Sequence, residues 1–221
     1  MARNPVSDRD EPGAVSASRI VLTLAIAGLI SGLAIVGIYE ATFQTIAENR
    51  ARELREAVFT VLPGIDSMRE MVYREGRLVE GEAAAEESSV YAGYDSKGEF
   101  QGYAIPARGP GFQDTIVLLY GYRLDTARVV GMQVLESRET PGLGDKIFKD
   151  PDFVAEFESL EVQPAIVLVK GGGSAANEVD SITGATISSR AVVRIINLAN
   201  ENWLGKLAVQ PSIDRIEKGG Q

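Results

Sequence analysis

The 221-residue sequence contains no cysteine and no histidine. Without thiols or imidazoles the chain cannot by itself form a disulfide, hold an iron–sulfur cluster, build a Cys/His zinc site or ligate a haem through either residue. A Ser–His–Asp triad and a cysteine nucleophile are excluded for the same reason. The lack of cysteine does not fix a compartment, because it is compatible with either side of a membrane. Basic charge is also in short supply. There are 22 Lys and Arg against 31 Asp and Glu, a net charge of −9, and the cations form no stripe. Such a field repels phosphate backbones, so nucleic acid is not an expected partner. No internal repeat and no low-complexity tract is visible.

What is present begins with one long apolar run. Residues Met1 to Ser18 are polar and of mixed charge, with Pro5, Pro12 and Gly13, and read as a loose tail. Ile20 to Tyr39 then carries no charged residue. Twenty residues at helical rise cover roughly 30 Å, the thickness of a bilayer core. A transmembrane helix over residues 19–39 is the expectation, with Gly28 and Gly32 forming a small-xxx-small pair that could seat another helix. A cleaved signal peptide is the alternative, but the run exceeds a usual apolar core and no A-x-A site follows. Arg3, Arg9 and Arg19 before the span balance Arg50, Arg52 and Arg55 after it, so charge leaves the orientation open.

Residues 40–62 read as a stalk helix, with Phe43, Ile46, Ala47, Leu54, Val58 and Val61 largely on one face and Pro63-Gly64 as its end. Residues 63–207 read as one compact domain and 208–221 as a loose tail. Within the domain, Val90–Tyr94 and Glu99–Ile105 flank Asp95-Ser96-Lys97-Gly98 as a hairpin. Thr115–Tyr122 and Val129–Leu135 make a second pair around Asp125-Thr126-Ala127. Asp152–Glu158 predicts a short helix and Ala165–Val169 a strand ending at Gly171-Gly172-Gly173, a flexible connector. Ile187–Leu204 is the clearest amphipathic helix, with Gly205 expected as its C′ residue.

Two segments could carry chemistry. Asp180-Ser181-Ile182-Thr183-Gly184-Ala185-Thr186 is rich in hydroxyls and small residues and opens that helix. A helix start offers unpaired N–H groups and a positive dipole end, suited to a phosphate, and Gly184 and Ala185 admit close approach to the backbone. The plain alternative is a Ser/Thr N-cap. Glu139-Thr140-Pro141-Gly142-Leu143-Gly144 places Pro-Gly at the centre of a type II turn. Leu143 at its tip suits packing on a flat ligand, and an ordinary tight turn is the alternative. Neither this stretch nor Lys170-Gly171-Gly172-Gly173-Ser174 completes a dinucleotide fingerprint or a Walker A loop.

Ser181 to Thr186 after Asp180 resembles the flavinylation motif of FMN-binding domains, whose core is Ser/Thr-Gly-Ala-Thr, and ETPGLG at Glu139–Gly144 resembles their second signature. Both occur in the G subunit of Rnf electron-transport complexes and in the C subunit of the sodium-pumping NADH:quinone reductase. The compact length favours the Rnf protein. The resemblance implies an α+β fold: one N-terminal transmembrane helix, then an FMN-binding domain with a mainly antiparallel sheet and flanking helices. It implies FMN joined through its phosphate to Thr186 by a flavin transferase, with Thr183, Gly184 and Ala185 completing the core. Glu139, Thr140, Gly142, Leu143 and Gly144 are the loop expected beside the flavin ring. It also implies a bacterial inner-membrane protein whose soluble domain is periplasmic. Its function would be electron relay among other membrane subunits that couple ferredoxin/NAD chemistry to ion transport, without a complete active site of its own. The quinone-reductase protein, another covalent-FMN protein and a non-redox anchored scaffold domain remain alternatives. A chain without Cys or His has a hydroxyl ester left as its route to a covalent flavin.

Overall fold

The computed structural model describes residues 16–84 and 87–207. The expected N-terminal tail falls almost wholly, and the C-terminal tail wholly, outside them. The chain divides into two units, residues 1–50 and 51–221.

Among the described residues of the first unit the chain forms one helix. Helix α1 runs unbroken from Ala17 to Val61, so the expected span and stalk are one element, and its last residues, from Ala51, belong to the second unit. It contains a segment long and apolar enough to cross a membrane, with none of that segment buried against protein. The hydroxyls of Thr23 and Thr42 donate to the carbonyls of Arg19 and Ile38, 2.8 Å each, which keeps these polar groups satisfied inside an apolar helix. The helix closes where Leu62 N donates to Val58 O. Pro63 has no N–H to continue it, and Gly64 turns the chain at φ +91°.

The second unit is built on a seven-stranded antiparallel sheet. In chain order the strands are β1 Ser67–Arg74, β2 Arg77–Glu80, β3 Ser89–Tyr94, β4 Phe100–Pro110, β5 Thr115–Arg123, β6 Arg128–Glu136 and β7 Leu160–Glu161, arranged β2-β1-β3-β4-β5-β6-β7. Both hairpins read from the sequence are present. Asp95 fixes the first turn, its carboxylate accepting from the N–H groups of Lys97 and Glu99. The β1–β2 hairpin was not legible, because Arg69, Glu70 and Arg74 interrupt its apolar pattern and few of its residues are buried.

Both faces of the sheet are covered. On one face Tyr103, Ile105, Ile116, Leu118 and Tyr120 pack under helix α4, Thr186–Trp203, with its Val192, Ile195 and Ile196. Alternate residues Ala104 and Leu119 face the end of α1 through Ala57, Val58, Val61 and Leu62. That contact is backbone on backbone. Gly121 and Gly131 pair across β5 and β6, and a Cβ on Gly121 would lie 1.9 Å from Val61 O. Glycine is therefore required for the helix end to reach the sheet.

Three smaller elements follow. Helix α2 covers Lys146–Lys149. Helix α3, Pro151–Ala155, is shorter than the expected 152–158 segment and is capped by Asp150, whose carboxylate accepts from Asp152 N. Strand β8, Val167–Val169, pairs in parallel with β9, Glu178–Asp180. The triglycine expected as a connector is instead a tied turn: the N–H groups of Gly172 and Gly173 donate to the Asp180 carboxylate, and those of Ser174 and Ala175 to Glu178. Gly205 is not a left-handed C′ residue. The last turn of α4 closes with Lys206 and Leu207 donating to Trp203 O.

Candidate cofactor-binding site

The two motifs meet at the start of α4. Thr140-Pro141-Gly142-Leu143 forms a tight turn in which Leu143 N donates to Thr140 O, 3.1 Å, and Gly142 takes φ +78°, as the third residue of a type II turn must. Ile182-Thr183-Gly184-Ala185 repeats the device: Ala185 N donates to Ile182 O, 2.9 Å, and Gly184 has φ +84°. The turns touch, since a Cβ on Gly184 would lie 4.0 Å from Leu143 Cδ2. Leu143 is 52% exposed, as is Ile187 beside the second turn at 54%.

Glu139 fixes this meeting. Its side chain is buried, with Oε1 accepting from the N–H groups of Phe112 and Gln113, 2.9 Å each, and Oε2 accepting from Ser188 Oγ at 2.5 Å. One carboxylate thus joins the β4–β5 loop, the Pro-Gly turn and the first turn of α4. Gly111 and Gly144 line its socket, where a Cβ would lie 2.4 Å from Oε1 or 2.6 Å from Oε2. Burial pushes the Glu139 carboxyl up, but the bonds from Ser188 and from the N–H groups of Gln113, Phe112 and Asp114 outweigh it and hold it below the usual carboxylate range. Thr140 is engaged too, its hydroxyl donating to Gln113 Oε1 at 2.9 Å. Asp145, also buried, ion-pairs with Lys149 at 2.6 Å, which draws its carboxyl down.

The second motif is left open. The N-cap of α4 is Ala185, which has no capping side chain, and Thr186 is the first helical residue. Neither Thr183 nor Thr186 is therefore the Ser/Thr cap that the plain reading requires. Among the described residues, the hydroxyls of Thr183 and Thr186 make no hydrogen bond, and the N–H groups of Thr186, Ile187 and Ser188 have no backbone acceptor; the first N–H to be paired is that of Ser189, to Ala185 O. Thr186 is half-buried, whereas Thr183 and Gly184 are exposed. The donor set is a free hydroxyl beside unpaired N–H groups at the positive end of a helix, which fits a phosphoryl group. Beside it an open cavity of about 360 Å³ is lined by Lys146, Ser181 and Thr183 and by Asp150, Asp152, Glu156 and Asp180, an acidic lining that does not suit a phosphate.

Of the nine residues singled out in the sequence, six lie on these two turns, Glu139 and Gly144 form the socket that joins the first turn to the β4–β5 loop, and Thr186 opens α4 directly after the second. Sequence reasoning missed Phe112, Gln113 and Ser188. Phe112, an aromatic 64% exposed after Pro110-Gly111, carried a readable signal. Ser188 carried none, because its role depends on a carboxylate far away in the chain.

Residues 111–201, which span both turns, match the FMN-binding domain family. The G subunit of an ion-translocating oxidoreductase complex from Methanosarcina acetivorans is 30% identical over 186 residues, covering 82% of this chain and 92% of that protein. This chain belongs to the G-subunit family of ion-translocating oxidoreductase complexes.

A second, shorter similarity joins the G-subunit family to another. The C subunit of the Na(+)-translocating NADH-quinone reductase from Vibrio anguillarum is 32% identical over 123 residues, and the chain spans 46% of its length. A crystal structure of that type of protein from Parabacteroides distasonis superposes with a TM-score of 0.59 at 23% identity, covering 77% of this chain and 98% of the other, which establishes the shared fold. This G-family member therefore pairs an FMN-binding domain with one helix fit to anchor it in a membrane.

Proposed function

We propose that this chain is the electron-relay component of an Rnf-type complex and holds FMN as a phosphoester on Thr186. The observation that carries this is the uncapped start of α4, where Thr186 offers a free hydroxyl next to unpaired N–H groups. Bound FMN supplies one- and two-electron transfer, which side chains lacking Cys and His cannot. Attachment needs a flavin transferase and an activated FMN donor. Thr186 Oγ1 would form the ester bond to the FMN phosphorus as the donor's phosphate-linked leaving group departs, with the hydroxyl proton passing to a base of the transferase or to solvent. Thereafter the N–H groups of Thr186, Ile187 and Ser188 stabilise the phosphodiester's negative charge. Leu143, Ile187 and Phe112, each more than half exposed, supply apolar surface for the ring. Gly142, Gly184 and Ala185 shape the two turns. Glu139, Thr140 and Gly144 act one step back, by holding the loops in register.

The wider assignment follows the resemblance and the relatives. Residues 19–39 span the bacterial inner membrane, 40–62 form the stalk, and 63–207 place the flavin on the periplasmic side. Other membrane subunits exchange electrons with it while ferredoxin/NAD chemistry drives ion transport. Tethering keeps the cofactor at high effective concentration beside those partners. A yellow-fluorescent band on a denaturing gel of protein from native membranes, lost in Thr186→Val, is the expected result. Retention of the band in that variant would reject the anchor. The C protein of a quinone reductase is the second reading, favoured by the match over 52% of this chain; the set of co-purifying subunits separates the two.

A further inference from the structure

The start of α4 departs from two rules of helix electrostatics. Its N-cap is Ala185, with no side-chain acceptor, and its first turn contains no acidic residue. The first charged residue of the helix is a cation, Arg190, at its fifth position. Within the protein the anion at this helix start is the Glu139 carboxylate, which is committed to Ser188 Oγ and to the N–H groups of Phe112 and Gln113 and leaves the N–H groups of Thr186, Ile187 and Ser188 without an acceptor.

Arg190 is exposed and makes no hydrogen bond or ion pair among the described residues. By contrast, Arg194, one turn further on, is held by the Pro110 carbonyl. Arg190 is four residues after Thr186, so the two share a helix face with Cβ atoms about 6 Å apart. Helical side chains lean toward the N-terminus, so the Arg190 side chain can reach the turn that contains Thr186. Among the described residues neither Arg190 nor the first N–H groups of the helix has an acceptor, and a bound anion would supply one to both.

We propose that Arg190 is a positioning residue that pairs with the flavin phosphate on Thr186, orienting it for ester formation and holding it afterwards. The proposal rests on the reading of Thr186 as the anchor. A guanidinium suits the role because its fork of N–H donors matches two phosphoryl oxygens.

The test uses the full-length chain, co-produced in membranes with the flavin transferase, as wild type and as the Arg190→Gln, Arg190→Lys and Arg190→Glu variants. Arg108→Gln, which removes an exposed charge from the opposite face of the sheet, and Thr186→Val are the controls. The readouts are the rate at which the fluorescent band appears and the Tm difference between loaded and unloaded protein at low and high salt. Arg190→Gln is expected to slow loading roughly fivefold and to shrink the Tm difference, most visibly at low salt. Arg190→Glu should do more, Arg190→Lys should recover most of the loss, and Arg108→Gln should match wild type. Because the second readout is a difference, a general loss of stability does not imitate it. Wild-type loading and an unchanged Tm difference in Arg190→Gln and Arg190→Glu would overturn the role of Arg190, as would an equal loss in Arg108→Gln. A flavin band surviving in Thr186→Val would overturn the anchor itself, which is a separate outcome.

Discussion

The two glycine turns at the candidate site have the same local geometry and opposite chemical states. In the turn at Thr140–Leu143 and the residues flanking it, the polar side chains are engaged: Glu139 accepts from Phe112, Gln113 and Ser188 among others, Thr140 donates to Gln113, and one Asp145 oxygen holds Lys149. In the turn at Ile182–Ala185 and the helix start behind it, the hydroxyls of Thr183 and Thr186 and three N–H groups are unpaired. The first loop builds the site and the second presents it. Adjacent motifs need not share a role, and hydrogen-bond saturation separates a supporting group from a presenting one.

The largest expected effect would break that comparison on the presenting side. Thr186→Val should abolish covalent flavin altogether while leaving the unfolding free energy of the unloaded protein within about 0.5 kcal/mol, since its hydroxyl bonds nothing. In-gel fluorescence and urea denaturation measure the two halves. On the supporting side, Glu139→Ala leaves buried donors from Phe112, Gln113 and Ser188 unpaired and opens a void, at a cost of about 3 kcal/mol. Flavin loading should fall with it, so here stability and loading are coupled where in Thr186→Val they are not.

A pH series sharpens the same point with a smaller effect. The Glu139 carboxyl is held below its ordinary value in the fold, so its contribution is complete above an unfolded pKa of about 4.3 and is lost as pH falls through the lower folded value. The urea midpoints of wild type and Glu139→Gln should therefore differ at neutral pH and converge in that acid window. A constant gap down to about pH 3 would remove Glu139's charge from the account. Smallest of all, Leu143→Ala should change stability by less than about 0.5 kcal/mol, because the side chain is half exposed. It should nevertheless make the bound flavin more accessible to a collisional quencher such as iodide.

Much of this was legible locally. The apolar run of α1 carries its own length and composition. The hairpin turn at Asp95–Gly98 is written in residues that bond within the turn itself. Pro141-Gly142 and the Ile187–Trp203 stripe likewise depend on neighbours a few residues away. What escaped involves distant partners. Strand β1 keeps its place although charged residues interrupt its pattern, because β2 and β3 pair with it on both sides. Gly121 and Gly131 have their reason in Val61, far back in the chain, whose backbone lies against them.

The sequence by itself determined the long apolar helix, the β3–β4 and β5–β6 hairpins, the amphipathic α4 and the two motifs, because periodicity and turn chemistry act between near neighbours. Tertiary structure alone decided that Glu139 belongs to the scaffold and that Thr186 is uncapped and free. Hydrogen-bond saturation depends on which donors distant strands bring to a carboxylate, and no local pattern encodes that.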